Sequence, residues 1–315
     1  MGWLAVFGLA HSNLLWSGDI LFTYGLCGMV AYPCRKLRPG KLIIVGVLLL
    51  SIAPAVLTAE GVWSRHWSAV RVQAAREQMW APTAQMVARE AAAYRGNWTA
   101  QMKYRVADSL EMQTVYFVLF TFCRVTGLIL IGMALFKLDV FRARLRSPDY
   151  WTMVFLAVCL GVPVTLFGTW RDFAAKWDVR YSFFYGMQFN YWASLLVSLG
   201  WVGVVMLACQ SSQLTALTRR LASVGRMAFT NYVLQTVICT TIFYGHGLGL
   251  FGQVDRVEQF EIVLAIWAVQ LALSPIWLRY FLFGPLEWLW RSLTYWQREP
   301  FRRDSALAQL VLSHT

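Results

Sequence analysis

The chain has 315 residues, of which 58% are hydrophobic and only 14% charged, and its mean hydropathy is +0.50. About a quarter of the residues of a soluble domain are charged, so this composition excludes a disordered chain and argues against a water-soluble globule. The formal charge of +12 raises nucleic acid as a partner, and the distribution of the charge along the chain decides against it.

In chain order, residues 2–10 are apolar but cover only about half of the roughly 20 residues that a membrane-crossing helix needs. They have no basic n-region and no small-residue cleavage site, so they do not read as a signal peptide. They read as the outer end of a helix whose first half would precede this chain. Seven complete spans are expected next, at about 14–33, 42–59, 114–136, 151–169, 184–208, 227–246 and 261–279. A bilayer offers no water to bare backbone groups, and nothing alternates at period two as a barrel strand does, so each run is expected to be a helix. The fold expected is therefore all-α. It is a polytopic transmembrane helix bundle of about seven complete spans plus an N-terminal half-span, divided into bundle (1–59), external amphipathic helical insertion (60–113), bundle (114–303) and tail (304–315). Inside the insertion, Arg and Glu interleave in helix-forming runs at 64–79 and 83–95, split at Pro82. Such helices suit a membrane surface or a cap over the bundle.

The connecting segments sort by charge. Arg35, Lys36, Arg38 and Lys41 share one loop, Lys137, Arg142, Arg144 and Arg146 another, Arg219, Arg220 and Arg226 a third, and Arg279, Arg291, Arg298, Arg302 and Arg303 mark the C-terminal part. The loops between hold only Arg171, Lys176, Arg180 and Arg256. By the positive-inside rule the C-terminus is expected in the cytoplasm and residue 14 at the outer face. The excess charge thus signals topology, and no nucleic-acid partner is expected. All six cysteines lie in or beside expected spans, so no disulfide framework is expected. No pair has metal-ligand spacing, so no metal site is expected, and P-loop, nucleophile-elbow and dinucleotide motifs are absent from the sequence.

Polar side chains inside a span cost about 2.5–3.5 kcal/mol when ionisable and usually face the bundle or a wet cavity. Asp19, in Trp16-Ser17-Gly18-Asp19, either caps a helix N-terminus or forms an acid–base pair with His11, eight residues earlier. Arg124 lies too deep in its span to snorkel; it bonds to an opposing helix or binds an anionic group in a cavity. Gln188 and Asn190 read as interhelical glue or cavity wall, as do Asn231 and Gln235, which are i,i+4 neighbours on one helical face. Arg226 precedes that helix, where an anion meets free N–H groups. His246 sits in the glycine-rich run Tyr244-Gly245-His246-Gly247-Leu248-Gly249-Leu250-Phe251-Gly252, either as a base or donor or simply solvated.

These residues resemble a known family. His11, Leu14-Leu15-Trp16-Ser17-Gly18-Asp19-Ile20-Leu21, Gly225-Arg226-Met227-Ala228, Thr230-Asn231-Tyr232, Gln235, the loop at 244–252, Leu273-Ser274-Pro275-Ile276-Trp277 and Phe283-Gly284-Pro285-Leu286-Glu287-Trp288-Leu289-Trp290-Arg291 are similar, in order, to YeiB-like bacterial inner-membrane proteins. The resemblance implies a C-terminal domain of unknown function, for which a transport role has been suggested, and additional N-terminal helices in fuller members. The family is in turn similar to transmembrane acyltransferases, which pass an acyl group from a cytoplasmic donor to an acceptor across the membrane. Their essential histidine lies in an early loop and is not carried over to His11. On this resemblance the chain is expected to be an inner-membrane protein with an acyl-CoA-type donor and no resident cofactor. The donor would lie near Arg226, Arg279 and Arg291, with Arg124, Gln188, Asn190, Asn231 and Gln235 lining a passage. His11, Asp19 or His246 would meet a small-molecule or glycan acceptor, with membrane lipids around the chain. The alternative expectation is a transporter or lipid-handling protein without covalent chemistry. Oligomeric state is not legible.

Overall fold

The computed structural model describes residues 1–303; the tail expected at 304–315 lies outside them. The described residues are helical almost throughout and contain no strand, only an isolated bridge between Phe281 and Arg302. The helices are α1 (Gly2–Leu14), α2 (Leu21–Ala31), α3 (Pro39–Trp63), α4 (Ala69–Met79), α5 (Ala84–Arg95), α6 (Trp98–Glu111), α7 (Phe122–Lys137), α8 (Ser147–Leu156), α9 (Val162–Ala174), the single turn α10 (Val179–Tyr181), α11 (Met187–Gln210), α12 (Thr215–Arg226), α13 (Ala228–Phe243), α14 (Arg256–Tyr280) and α15 (Pro285–Tyr295). π-helical stretches at Met112–Thr121, Ala157–Gly161 and Ser182–Gly186 join α6 to α7, α8 to α9 and α10 to α11. Among the described residues, five helices are then long and apolar enough to cross a membrane: Pro39–His66, Trp98–Lys137, Ser147–Ala174, Val179–Gln210 and Arg256–Tyr280.

Two of the seven expected spans come out shorter. Residues 14–33 do not form one helix: the chain leaves the helical path at 15–20, and α2 begins only at Leu21. The cause is local. Asp19 Oδ2 accepts from Phe22 N at 2.8 Å, so the carboxylate starts a new helix where an unbroken span was expected. The apolar start, for its part, extends to Leu14 as a helix. The span expected at 227–246 is the 16-residue α13, about 24 Å long. In the expected insertion the helices split near Pro82 as anticipated, although the first begins at Ala69 after a 3-10 turn, with Ser68 as its cap.

The long helices carry their large apolar side chains outward: Leu48, Val118, Leu166 and Trp201 are each more than 60% exposed. In water such surfaces would aggregate; in lipid they are solvated. The chain folds as two compact units.

The first unit comprises Met1–Leu26, Arg89–Val115 and the described residues from Gln213 on. In it α1 and the start of α2 form a tight antiparallel hairpin. A Cβ on Gly8 would meet the backbone of Phe22, and one on Gly25 the backbone of Ala5, so glycine sets the approach. Helices α13 and α14 are joined by buried and half-buried polar groups: Asn231 Nδ2 donates to Ser274 Oγ (3.1 Å), Gln235 Nε2 to Gln270 Oε1 (2.8 Å), and Gln270 Nε2 to the Asn231 carbonyl (3.0 Å). Each such bond adds about 0.6 kcal/mol in a membrane interior.

The second unit comprises Cys27–Ala88 and Tyr116–Ser212. Helices α3 and α7 touch through Gly46 and Gly127, around a core of Ala31, Leu42, Leu130 and Ala134. Helix α11 lays Gly200 and Gly203 against Ala157 and Tyr150. Small residues at both seams let helix backbones approach closely, as lipid-embedded packing requires.

Candidate active site

The hairpin turn of the first unit carries the polar centre. His11 is in the last turn of α1 and is 4% exposed. Its Nδ1 lies 2.9 Å from Asp19 Oδ1, at ion-pair distance but off the line of an ideal N–H···O bond. On the opposite side of the ring, Nε2 is 3.0 Å from Thr236 Oγ1, in the middle of α13. The Tyr232 ring packs on the imidazole with centroids 5.0 Å apart. Its hydroxyl donates to Asp19 Oδ1 at 3.4 Å and accepts from Ile20 N at 3.3 Å. Asp19 therefore serves both roles open in the sequence: one oxygen caps α2, facing the positive end of the helix dipole, and the other faces His11. Its side chain is 1% exposed.

One face of α6 and the residues beyond it holds this turn in place. Arg105, 1% exposed, donates through Nη1 to the Leu15 carbonyl, Ser109 Oγ donates to the Ser12 carbonyl at 2.9 Å, and Gln113 Nε2 donates to Ser12 Oγ. Positions 105, 109 and 113 are spaced by four and share a helix face. Arg105 and Ser109 supply donors to carbonyls at the end of α1 that its own helix leaves unsatisfied, Gln113 holds the Ser12 hydroxyl, and the guanidinium suits the negative end of that helix.

The other candidates fall elsewhere. His246 is exposed, and its Nδ1 is 3.0 Å from Gln101 Oε1, while Gln101 Nε2 donates to the carbonyls of Tyr94 and Gly96. The loop around it needs glycine: Gly249 and Gly252 have φ of +71° and +66°, and a Cβ on Gly245 would strike the Arg95 carbonyl. Asn231 and Gln235 are spent on the α13–α14 bonds described above. Arg226 donates to the Leu282 carbonyl at 3.2 Å, and Arg291 stacks over Phe283 at 4.5 Å, so both flank one short segment; Arg279 is exposed.

The expected meeting of an anion with free N–H groups at the start of α13 is corrected by Glu287 of α15. This carboxylate accepts from Phe229 N (2.7 Å), Thr230 N (3.0 Å) and the Thr230 hydroxyl. The chain supplies its own anion there. Gly284 makes room for it, since a Cβ would overlap both Glu287 Oε2 and Thr230 Oγ1.

In the second unit, Arg124 packs its guanidinium 4.0 Å from the centre of the Tyr191 ring and donates to Ser194 Oγ at 3.2 Å. Tyr191 in turn donates to the Leu50 carbonyl. Gln188 Nε2 donates to Thr58 Oγ1 (3.0 Å) and to the Phe184 carbonyl (2.7 Å), whereas Asn190 is exposed. These contacts tie α11 to α3 and α7.

Sequence reasoning missed Thr236, Tyr232, Arg105, Ser109, Gln113 and Gln270 as parts of polar centres. Thr236 stands beside Gln235 inside a polar stretch of the sequence, and the i,i+4,i+8 spacing of 105, 109 and 113 was available as a signal.

Helices of this length and apolarity, with their apolar faces turned outward, define a multi-pass integral membrane protein. Residues 135–297 match the family model described as protein of unknown function (DUF418). The chain is 30% identical over 298 residues to the uncharacterized protein YeiB of Escherichia coli (strain K12), covering 92% of this chain and 73% of that protein. It is 29% identical over 322 residues to the uncharacterized protein YxaH of Bacillus subtilis (strain 168), covering 96% of this chain and 72% of that one. The chain belongs to this YeiB-like DUF418 family. No solved structure matches it significantly.

Proposed function

We propose that this protein is a membrane acyltransferase of the bacterial inner membrane, with its C-terminus in the cytoplasm, moving an acyl group from a cytoplasmic acyl-CoA-type donor to an envelope acceptor. The observation that carries the reading is the alignment Asp19–His11–Thr236: a buried carboxylate at one ring nitrogen and a hydroxyl 3.0 Å from the other. A base so oriented takes a proton from a hydroxyl as that oxygen attacks a carbonyl carbon. Asp19 fixes the ring and balances the imidazolium that forms. The basic pair Arg226 and Arg291 suits the phosphates of such a donor.

Full-length protein in proteoliposomes, given acyl-labelled acyl-CoA and envelope extract, tests it. Transfer to an extract component should fall about 10²–10⁴-fold in His11→Ala. Label that stays on the donor with wild-type protein, or transfer untouched by His11→Ala, would end the proposal. A second reading, proton-coupled transport, is favoured by the same buried ionisable pair at a break between two short helices. It is the reading left standing if vesicles show His11-dependent counterflow and no covalent transfer.

A further inference from the structure

We infer that Thr236 is an acyl-accepting nucleophile, so that transfer proceeds through an ester on its side chain. The inference rests on the acyl-transfer reading and adds the intermediate to it. A nucleophile activated by an adjacent base is recognised by three groups in sequence: a hydroxyl within hydrogen-bond reach of the base, and the base oriented by a third group. Thr236 Oγ1, His11 Nε2 and Nδ1, and Asp19 Oδ1 are that sequence, at 3.0 and 2.9 Å. The order of roles matches a serine–histidine–aspartate triad, which recurs on unrelated folds; threonine serves as the nucleophile elsewhere with an N-terminal amine as its base.

Two features set Thr236 apart from the other threonines of α13. Thr240 and Thr241 donate back to the Val237 carbonyl, and Thr230 is taken up by Glu287. Thr236 alone among them is within bonding distance of a histidine, and its back-bond to the Tyr232 carbonyl is long, at 3.4 Å. It also stands near the middle of α13, about 12 Å along the helix from the first residue and about 10 Å from the last. A group held there serves a donor arriving at one end and an acceptor at the other in turn, without both occupying the site together.

The chemistry balances in two steps. In the first, the Thr236 hydroxyl proton passes to His11 Nε2, Oγ1 bonds to the acyl carbon, the thioester C–S bond breaks, and the thiolate leaves with that proton. In the second, the acceptor hydroxyl gives its proton to Nε2, and its oxygen bonds to the acyl carbon. The Thr236 ester bond then breaks and Oγ1 recovers the proton. The Tyr232 hydroxyl and ring stay bound throughout and hold the pair in register.

The test is intact-mass spectrometry of the detergent-solubilised full chain after incubation with acetyl-CoA, and separately with p-nitrophenyl acetate, with no acceptor present. One acetyl group should appear, map to the peptide carrying Thr236, and be chased by later addition of envelope extract. It should be lost in Thr236→Val and His11→Ala and kept in Thr236→Ser. Thr236→Cys should give an adduct that neutral hydroxylamine removes. Tryptophan fluorescence and gel-filtration profiles identify variants that fold, and Thr236→Ser and Thr236→Cys keep the test open if Thr236→Val does not. An acetyl group on His11 or elsewhere, or one retained in folded Thr236→Val, overturns the inference. So does His11-dependent transfer to the acceptor that proceeds unchanged in Thr236→Val, although the base reading then survives. Absence of both adduct and His11-dependent transfer removes the two together.

Discussion

Replacing Glu287 tests how the start of α13 is held. The carboxylate accepts from two backbone N–H groups and one hydroxyl, and the Thr230 hydroxyl accepts in turn from Leu286 N at 3.1 Å. The two helix starts are therefore latched to each other. In Glu287→Ala the helix loses a capping acceptor, typically about 1 kcal/mol, and a charge at its positive end, about 1 kcal/mol for a half-buried site. The Thr230 hydroxyl loses a charged acceptor, about another 1 kcal/mol once partial rescue by water is allowed. A loss of about 3 kcal/mol is expected. Glu287→Gln keeps one oxygen for the N–H groups and gives up the charge, so about half that loss is expected. Reversible unfolding in mixed micelles of increasing SDS fraction, followed by tryptophan fluorescence, measures both. A cost below about 0.5 kcal/mol for Glu287→Ala, or equal costs for the two variants, would refute the latch as described.

Gly127→Ala should destabilise by about 2 kcal/mol in the same assay, because the new Cβ would lie 2.7 Å from the Gly46 carbonyl oxygen. Gly132→Ala, in the same helix with nothing near its Cβ position, should instead be neutral or gain up to about 1 kcal/mol; similar outcomes for the pair would count against the seam. Asp178 caps α10 through Arg180 N and Tyr181 N. Burial acts to raise its pKa, but the hydrogen bond and charge of Arg180, with the two N–H groups, outweigh that and hold it below the ordinary carboxylate value. Its contribution is thus complete above the usual carboxylate range and disappears as pH falls through the lowered pKa. With the side chain 41% exposed, solvent screening leaves about 0.5 kcal/mol. Comparing Asp178→Asn with wild type at neutral pH and near pH 3 should show that difference shrink in acid.

The helical class and the positions of the long apolar helices were readable because lipid imposes one rule on backbone and side chains alike. The break at 15–20 was half-readable: Asp19 was open as a cap, but its start of a helix at Leu21 competes with an apolar run that masks it. His11 and Asp19 are eight residues apart, and their meeting depends on a turn held by tertiary contacts with Arg105, Ser109, Gln113 and Tyr232. Thr236 lies 225 positions from His11 and Glu287 lies 57 from Thr230; no local pattern announces partners at such separations. Arg124 stood out by the cost of burying a cation, yet that cost does not say whether an aromatic ring, a hydroxyl or a ligand meets it.

The π-helical turn at Ala157–Gly161 has a bearing on how this chain tolerates change. A turn of this kind accommodates one residue more than the surrounding spiral, so losing one residue there lets the helix revert to ordinary winding. The flanks, with Tyr150 and Gly168 facing their present neighbours, would keep their azimuth. The same deletion in the regular part of α11 would rotate everything downstream by about 100°. Loss of one residue from this chain therefore has a natural address, where it is absorbed by a bulge instead of scrambling an interface.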